Sequence, residues 1–243
     1  MIINESEIYP YKTSDLSDKD CLVIAPHPDD ESIGCGGSIM KHVKDGSRVK
    51  VIFLTSGDKG DFRGVFGKDY LNLRRESALN ALSLLGVGDY EFWGFKDREL
   101  LKEQDTIYEK VNMLTRGFKP ALIYVPSPYE AHPDHRVAAS IGWKIHNETN
   151  ISVAFCELLM PLFPNILVDI SEEFDTKEAA IKCYKTELYY NDYADKIKGL
   201  NRYRTATLPP TIKYAEAFVM LDGRSGEGIA LTLLKKLLAS NDT

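Results

Sequence analysis

A chain of 243 residues, 44% hydrophobic and 27% charged, has the make-up of a soluble globular protein and enough length to bury a substantial core. Its net charge of −6, with no basic cluster, weighs against nucleic-acid or anionic-membrane partners. No apolar run reaches membrane-spanning length and the polar opening Met1-Ile-Ile-Asn-Glu-Ser-Glu7 does not read as a secretory signal, so a cytoplasmic protein is expected.

Residues 1–20 read as an irregular lead-in. Cys21-Leu-Val-Ile-Ala25 has the length and β-branched content of a buried strand, and a helix through Ile39, Met40 and Val43 follows. Arg48 to Thr55 is the second strand, and the glycine-rich stretch 57–69 is a flexible loop able to lie over a site. Tyr70 to Leu85 is a helix with Leu71, Ala78, Leu82 and Leu85 as its apolar stripe and Gly86 as its stop. Arg74 and Arg75 border that stripe, where a guanidinium either snorkels to solvent or reaches a buried anion. Tyr90 to Phe95 is a short aromatic strand, Glu99 to Phe118 an amphipathic helix, Ala121 to Val125 a strand, and Arg136 to His146 a helix. Strands at Ile151–Glu157 and Asn165–Ile170, helices at Glu172–Tyr189 and Asp192–Tyr203, a strand at Tyr214–Leu221 and a closing helix at Ile229–Leu238 complete the chain. Strands alternate with helices, no repeat or linker interrupts them, and residues 1–243 read as one domain. The expected fold is α/β and Rossmann-like: an open, mostly parallel sheet with helices on both faces. The scattered cysteines Cys21, Cys35, Cys156 and Cys183 suggest neither a disulfide framework nor a thiolate zinc site. Cys35 reads as a small packing residue between glycines.

Chemistry concentrates at two strand ends. Cys21–Ala25 runs into Pro26-His27-Pro28-Asp29-Asp30-Glu31, and Ala121–Val125 runs into Pro126-Ser-Pro128 and then His132-Pro-Asp-His135. Three of the five histidines lie in these two proline-braced stretches. Carboxylates packed this tightly repel one another unless a cation or a shared proton intervenes. Both motifs come to one edge of one sheet, which points to a metal site.

His27-Pro-Asp-Asp30 followed about a hundred residues later by His132-Pro-Asp-His135 resembles the LmbE/PIG-L family of zinc-dependent N-acetylglucosamine deacetylases. The resemblance runs from the first strand to Tyr214-Ala-Glu-Ala-Phe218. It implies a metal centre of His27, Asp30 and His135, a set that leaves positions open on one zinc ion per chain, with iron(II) as the other metal considered. It also implies Asp29 as general base and His132 as the imidazole that stabilises the oxyanion or protonates the amine. Asp134 is expected to hold His132 through a ring N–H and keep it charged, while Glu31 reads as a helix N-terminal charge. By the same resemblance Arg74 and Asp97 contact sugar hydroxyls, with Trp93 or Phe95 as an apolar face and the tyrosines between Tyr184 and Tyr203 as a wall. No role attaches to Tyr129 or Glu130. The implied activity is hydrolysis of the N-acetyl group of a small-molecule N-acetylglucosamine derivative, in a chain with no nucleic-acid or membrane partner that is free to self-associate. Amide cleavage of a glucosamine-containing thiol conjugate, a non-haem iron(II) oxygenase and a non-catalytic sugar-binding module stay open as alternatives.

Overall fold

The computed structural model describes residues 5–222, so the closing helix expected at Ile229–Leu238 lies outside the described residues. Among the described residues seven strands form one sheet: β1 (Cys21–Ala25), β2 (Val49–Thr55), β3 (Asp89–Phe95), β4 (Leu122–Pro126), β5 (Ser152–Cys156), β6 (Ile166–Asp169) and β7 (Ala215–Leu221). Their order is β3-β2-β1-β4-β5-β7-β6. The first five are parallel, and β7 runs antiparallel to both β5 and β6.

Side-chain alternation splits the buried strands between two cores. Leu22, Ile24, Ile52, Leu54, Ile123 and Val125 face α4 (Gln104–Phe118) and α5 (Pro133–Thr149). Cys21, Val23, Val51, Phe53, Leu122 and Tyr124 face α2 (Asp30–Lys44), α3 (Tyr70–Leu85) and α6 (Phe174–Cys183). Helices on both faces of a mostly parallel sheet are thus what the alternating sequence required. Gly86, in the left-handed region at φ 77°, ends α3 as expected.

Four boundaries differ from the sequence reading. The lead-in carries a one-turn helix, α1 (Glu5–Ile8). The second motif is the first turn of a helix, since α5 starts at Pro133, whose fixed φ and missing N–H suit that position. The helix expected at Glu99–Phe118 opens with a 3₁₀ turn at Leu100–Glu103 before α4. The helix expected at Glu172–Tyr189 is two, α6 and α7 (Lys185–Tyr190), broken at Tyr184. The break has a cause: Tyr184 is buried and its hydroxyl donates to Glu31 Oε1 at 2.5 Å. The last helix described is α8 (Tyr193–Tyr203).

Strand order reverses between β1 and β4, whose carboxyl ends lead into the two motifs. Such a switch point opens a crevice at the carboxyl edge of an α/β sheet.

Candidate metal centre and its cleft

The first motif turns sharply. Asp29 sits at φ 128°, well inside the region that disfavours L side chains, and forms the N-cap of α2. Its N–H donates to Glu31 Oε2 at 3.1 Å, and Glu31 is fully buried, held also by Ser32 and Tyr184. Glu31 is therefore more than the helix N-terminal charge expected: it clamps the strained peptide that presents Asp29.

Donor atoms of three residues converge beside that turn. His27 Nδ1 lies 3.2 Å from His135 Nε2 and 3.3 Å from Asp30 Oδ2, and His135 Nε2 lies 3.4 Å from Asp30 Oδ1. Ligand atoms around a tetrahedral zinc ion sit roughly 3.3 Å apart, so the spacing fits one ion. The backbone N–H of His27 fixes Asp30 Oδ2 at 2.8 Å. Two other groupings also bring their ligand atoms within 4.8 Å: His27, His132 and His135, and His27, Asp97, His132 and Asp134.

The outer ring nitrogens are backed unequally. His27 Nε2 is 3.3 Å from Asp134 Oδ2 and 3.3 Å from Asp97 Oδ1, and His135 Nδ1 points to Glu130 Oε2 at 3.9 Å. The Asp134 carboxylate behind His27 orients that imidazole and sets its tautomer, as a metal-bound histidine needs, whereas His135 Nδ1 is buried without a hydrogen-bond partner among the described residues. Burial works against charge on His27 and His135, but the surrounding carboxylates win: His27 is raised well above the usual imidazole range and His135 to about 9. Asp30, though buried, is held far below the usual carboxylate range by His135 and His27.

Asp134 and His132 differ from expectation. The Asp134 carboxylate accepts from the N–H of Arg98 at 2.7 Å and pairs with His27, not with His132. His132 is the N-cap of α5, its Nδ1 accepting from the Asp134 N–H at 3.3 Å. Burial, then His27 and His135, push its pKa down to about 4, so it is neutral where it was expected to be charged. With Nδ1 accepting, the proton sits on Nε2, which lies 3.7 Å from Asp97 Oδ1.

Arg74 is buried beneath Asp29, with Nη2 3.6 Å from Asp29 Oδ2. Its N–H groups are engaged by Gly57 O, Tyr70 Oη and Pro28 O, and Nε is 3.2 Å from Glu187 Oε1. Gly57, at φ 64°, lets the chain pass this close: a Cβ there would sit 2.1 Å from Arg74 Nη1. Burial raises Asp29 well above the usual carboxylate range, with Arg74 opposing and Asp30 adding to the rise.

A cleft of about 320 Å³ opens over these groups. His27, Asp29, Asp30, Arg74, Asp97, His132 and His135 all line it, and Asp134 lies behind His27. The loop 57–69 covers one side with Lys59, Gly60 and Phe62, and Tyr190 and Tyr193 supply the tyrosine wall. Trp93 and Phe95, expected as the apolar face, pack instead against the core beneath α4, with Lys110 over the indole. Among the described residues Asp97 Oδ1 is buried without a hydrogen-bond donor, although His27 Nε2 lies 3.3 Å away, while Oδ2 accepts from the Lys59 N–H at 3.2 Å. Cys35 is buried in the core, and burial raises its thiol well above the usual range. Glu130 carries no role in the sequence reading, and Glu187 does not stand out there, because their partners are distant: 28 or more residues for Glu130's loop contacts and 113 for Glu187 and Arg74.

Residues 22–146 match the PIG-L family of GlcNAc-PI de-N-acetylases, more than half of the chain. The chain belongs to this family. It is 31% identical over 188 residues to the diacetylchitobiose deacetylase of Thermococcus kodakarensis, covering 70% of each chain. The N,N'-diacetylchitobiose deacetylase of Pyrococcus horikoshii shares the fold with a TM-score of 0.74 at 23% identity, covering 86% of both chains. A 4-oxalmesaconate hydratase of Pseudomonas putida is 26% identical over 246 residues, or 87% of this chain and 93% of that one. As a PIG-L member the chain is a deacetylase, an amide hydrolase acting on N-acetylglucosamine-containing compounds, with a candidate His/Asp metal site. Among the described residues no helix is long and apolar enough to cross a membrane.

Proposed function

We propose that the chain hydrolyses the N-acetyl group of a small N-acetylglucosaminide, with His27, Asp30 and His135 holding one zinc ion. The observation that carries this reading is the 3.2–3.4 Å approach of His27 Nδ1 and His135 Nε2 to each other and each to one Asp30 oxygen, beside the strained Asp29. Zinc in such a set lowers the pKa of a bound water to about 7 and polarises a carbonyl.

The chain's own groups carry the proton and the substrate. Asp29, presented by its strained turn and backed by Arg74, takes a proton from the attacking water and passes it to the departing nitrogen. His132, neutral with its proton on Nε2, donates a hydrogen bond toward the developing oxyanion. Asp134 holds His27 in register through Nε2. Asp97 Oδ1, a buried acceptor without a donor, receives a sugar hydroxyl. Arg74 serves the same sugar end indirectly, since its donors hold Pro28, Gly57 and Tyr70.

Acetate release from N-acetylglucosamine and diacetylchitobiose, measured beside hydration of an unsaturated dicarboxylate, tests the reading. Acetate release from either sugar is expected. Hydration alone would replace this function by that of the hydratase relative.

A further inference from the structure

The cleft is divided by polarity. Lys59, Asp97 and Arg98 line it beside Nε2 of His27. Ile33, Leu158 and Leu159 line the other end. Ile33 lies three residues beyond Asp30 on α2, and Leu158 packs on the same turn, where a Cβ at Gly34 would come within 2.9 Å of Leu158 Cδ2. The converging atoms of His27, Asp30 and His135 thus lie between a charged end and an apolar one.

The apolar end does not stop at the cleft. Leu158 and Leu159 also wall a second hollow of about 350 Å³, completed by Met160 and by Ile197 and Leu200 of α8. Its two polar residues are paired with each other, Lys196 Nζ donating to Asn191 Oδ1. Leu159 and Met160 are 39% and 40% exposed, yet the segment is firmly built. The N–H groups of Leu158, Leu159 and Met160 all donate to Glu130 Oε1 at 3.0–3.1 Å, and Oε2 of the same buried carboxylate faces His135. A wall pinned at three successive peptides, with Leu158 buried and Leu159 and Met160 exposed, borders both the cleft and the second hollow.

We propose that this hollow takes the acyl chain of N-acylglucosamine substrates longer than acetyl, making the protein an N-deacylase of medium-chain amides; this rests on the amide-hydrolase reading above. Sugar hydroxyls need donors and acceptors, which the Asp97 end supplies. The acyl carbon is the atom held at the donor cluster, so a chain extending from it away from the sugar enters the apolar end. Hydrolysis breaks the amide C–N bond. The water oxygen ends on the acyl carbon as a carboxylate, and both water protons end on the nitrogen, which leaves as an ammonium, so no further reactant is needed.

The test compares kcat/KM for N-acetyl-, N-butyryl- and N-hexanoylglucosaminides in wild type, Met160→Asp and Leu200→Asp. Calorimetry of the same compounds with Asp29→Asn and the solution mass of each variant accompany it. The hexanoyl compound should match or exceed the acetyl one in wild type and bind Asp29→Asn more tightly. Either Asp substitution should lower the hexanoyl-to-acetyl ratio about tenfold. Turnover of butyryl and hexanoyl compounds below a hundredth of acetyl, or a ratio unmoved in both variants, overturns the proposal. An unmoved ratio with an altered solution mass assigns the hollow to a second copy of the chain instead. Inertness toward all three compounds, acetyl included, sinks the parent reading and this proposal with it.

Discussion

Asp29 and Asp30 are adjacent carboxylates whose surroundings drive them apart. Asp30 faces two imidazoles and stays ionised, whereas Asp29 is buried against Arg74 with its pKa raised. Neighbouring carboxylates with opposite shifts mark a division into ligand and proton carrier. Asp29→Asn should therefore cut turnover by about a hundredfold or more while the protein keeps its metal, as rates and metal content in one preparation will show. Asp134→Ala should act through His27 instead, weakening metal affinity roughly 10–100-fold in a competitive chelator titration. Protons and metal compete for His135, whose pKa of about 9 means that the metal-free imidazole is protonated at pH 7. Affinity should rise as pH climbs from 7 to about 9, with proton release on binding that shrinks over the same interval. Calorimetry in buffers of different ionisation enthalpy counts those protons.

The elements that hold the site are coupled by buried ions drawn from distant parts of the chain. Glu216 of β7 receives the N–H groups of Gly37 and Ser38, just past the non-helical residue Cys35 inside α2, and pairs with the wholly buried Lys177 of α6 at 2.7 Å. Losing one partner of such a pair strands a charge, and Lys177→Met should lower unfolding stability by roughly 3–5 kcal/mol in a denaturant titration. The β1 and β4 strands, their proline-braced exits and the helix stops were legible in the sequence because each rests on local pattern: an apolar run, a fixed φ, a glycine at φ 77°. The rest rests on long-range pairing, which periodicity does not carry. Tyr184 breaks a helix to reach Glu31, 153 residues away, and Asp134 turns its carboxylate to His27 because the N–H of Arg98 draws it there. The lowered pKa of His132 has the same long-range origin: burial and the imidazoles of His27 and His135 outweigh the carboxylates of Asp134 and Asp30.

For the whole molecule, the sheet's switch point brings two motifs a hundred residues apart to one edge, and everything proposed depends on which atoms there hold the ion. The structure offers a contest between His27, Asp30 and His135 and two groupings that include His132, namely His27, His132 and His135, and His27, Asp97, His132 and Asp134. Metal content and acetate release, measured together in wild type, His132→Ala and His135→Ala, decide it. About one ion per chain is expected in wild type and His132→Ala, with loss of most of it in His135→Ala and slow turnover in both variants. A metal-free His132→Ala beside a metal-replete His135→Ala would contradict that expectation.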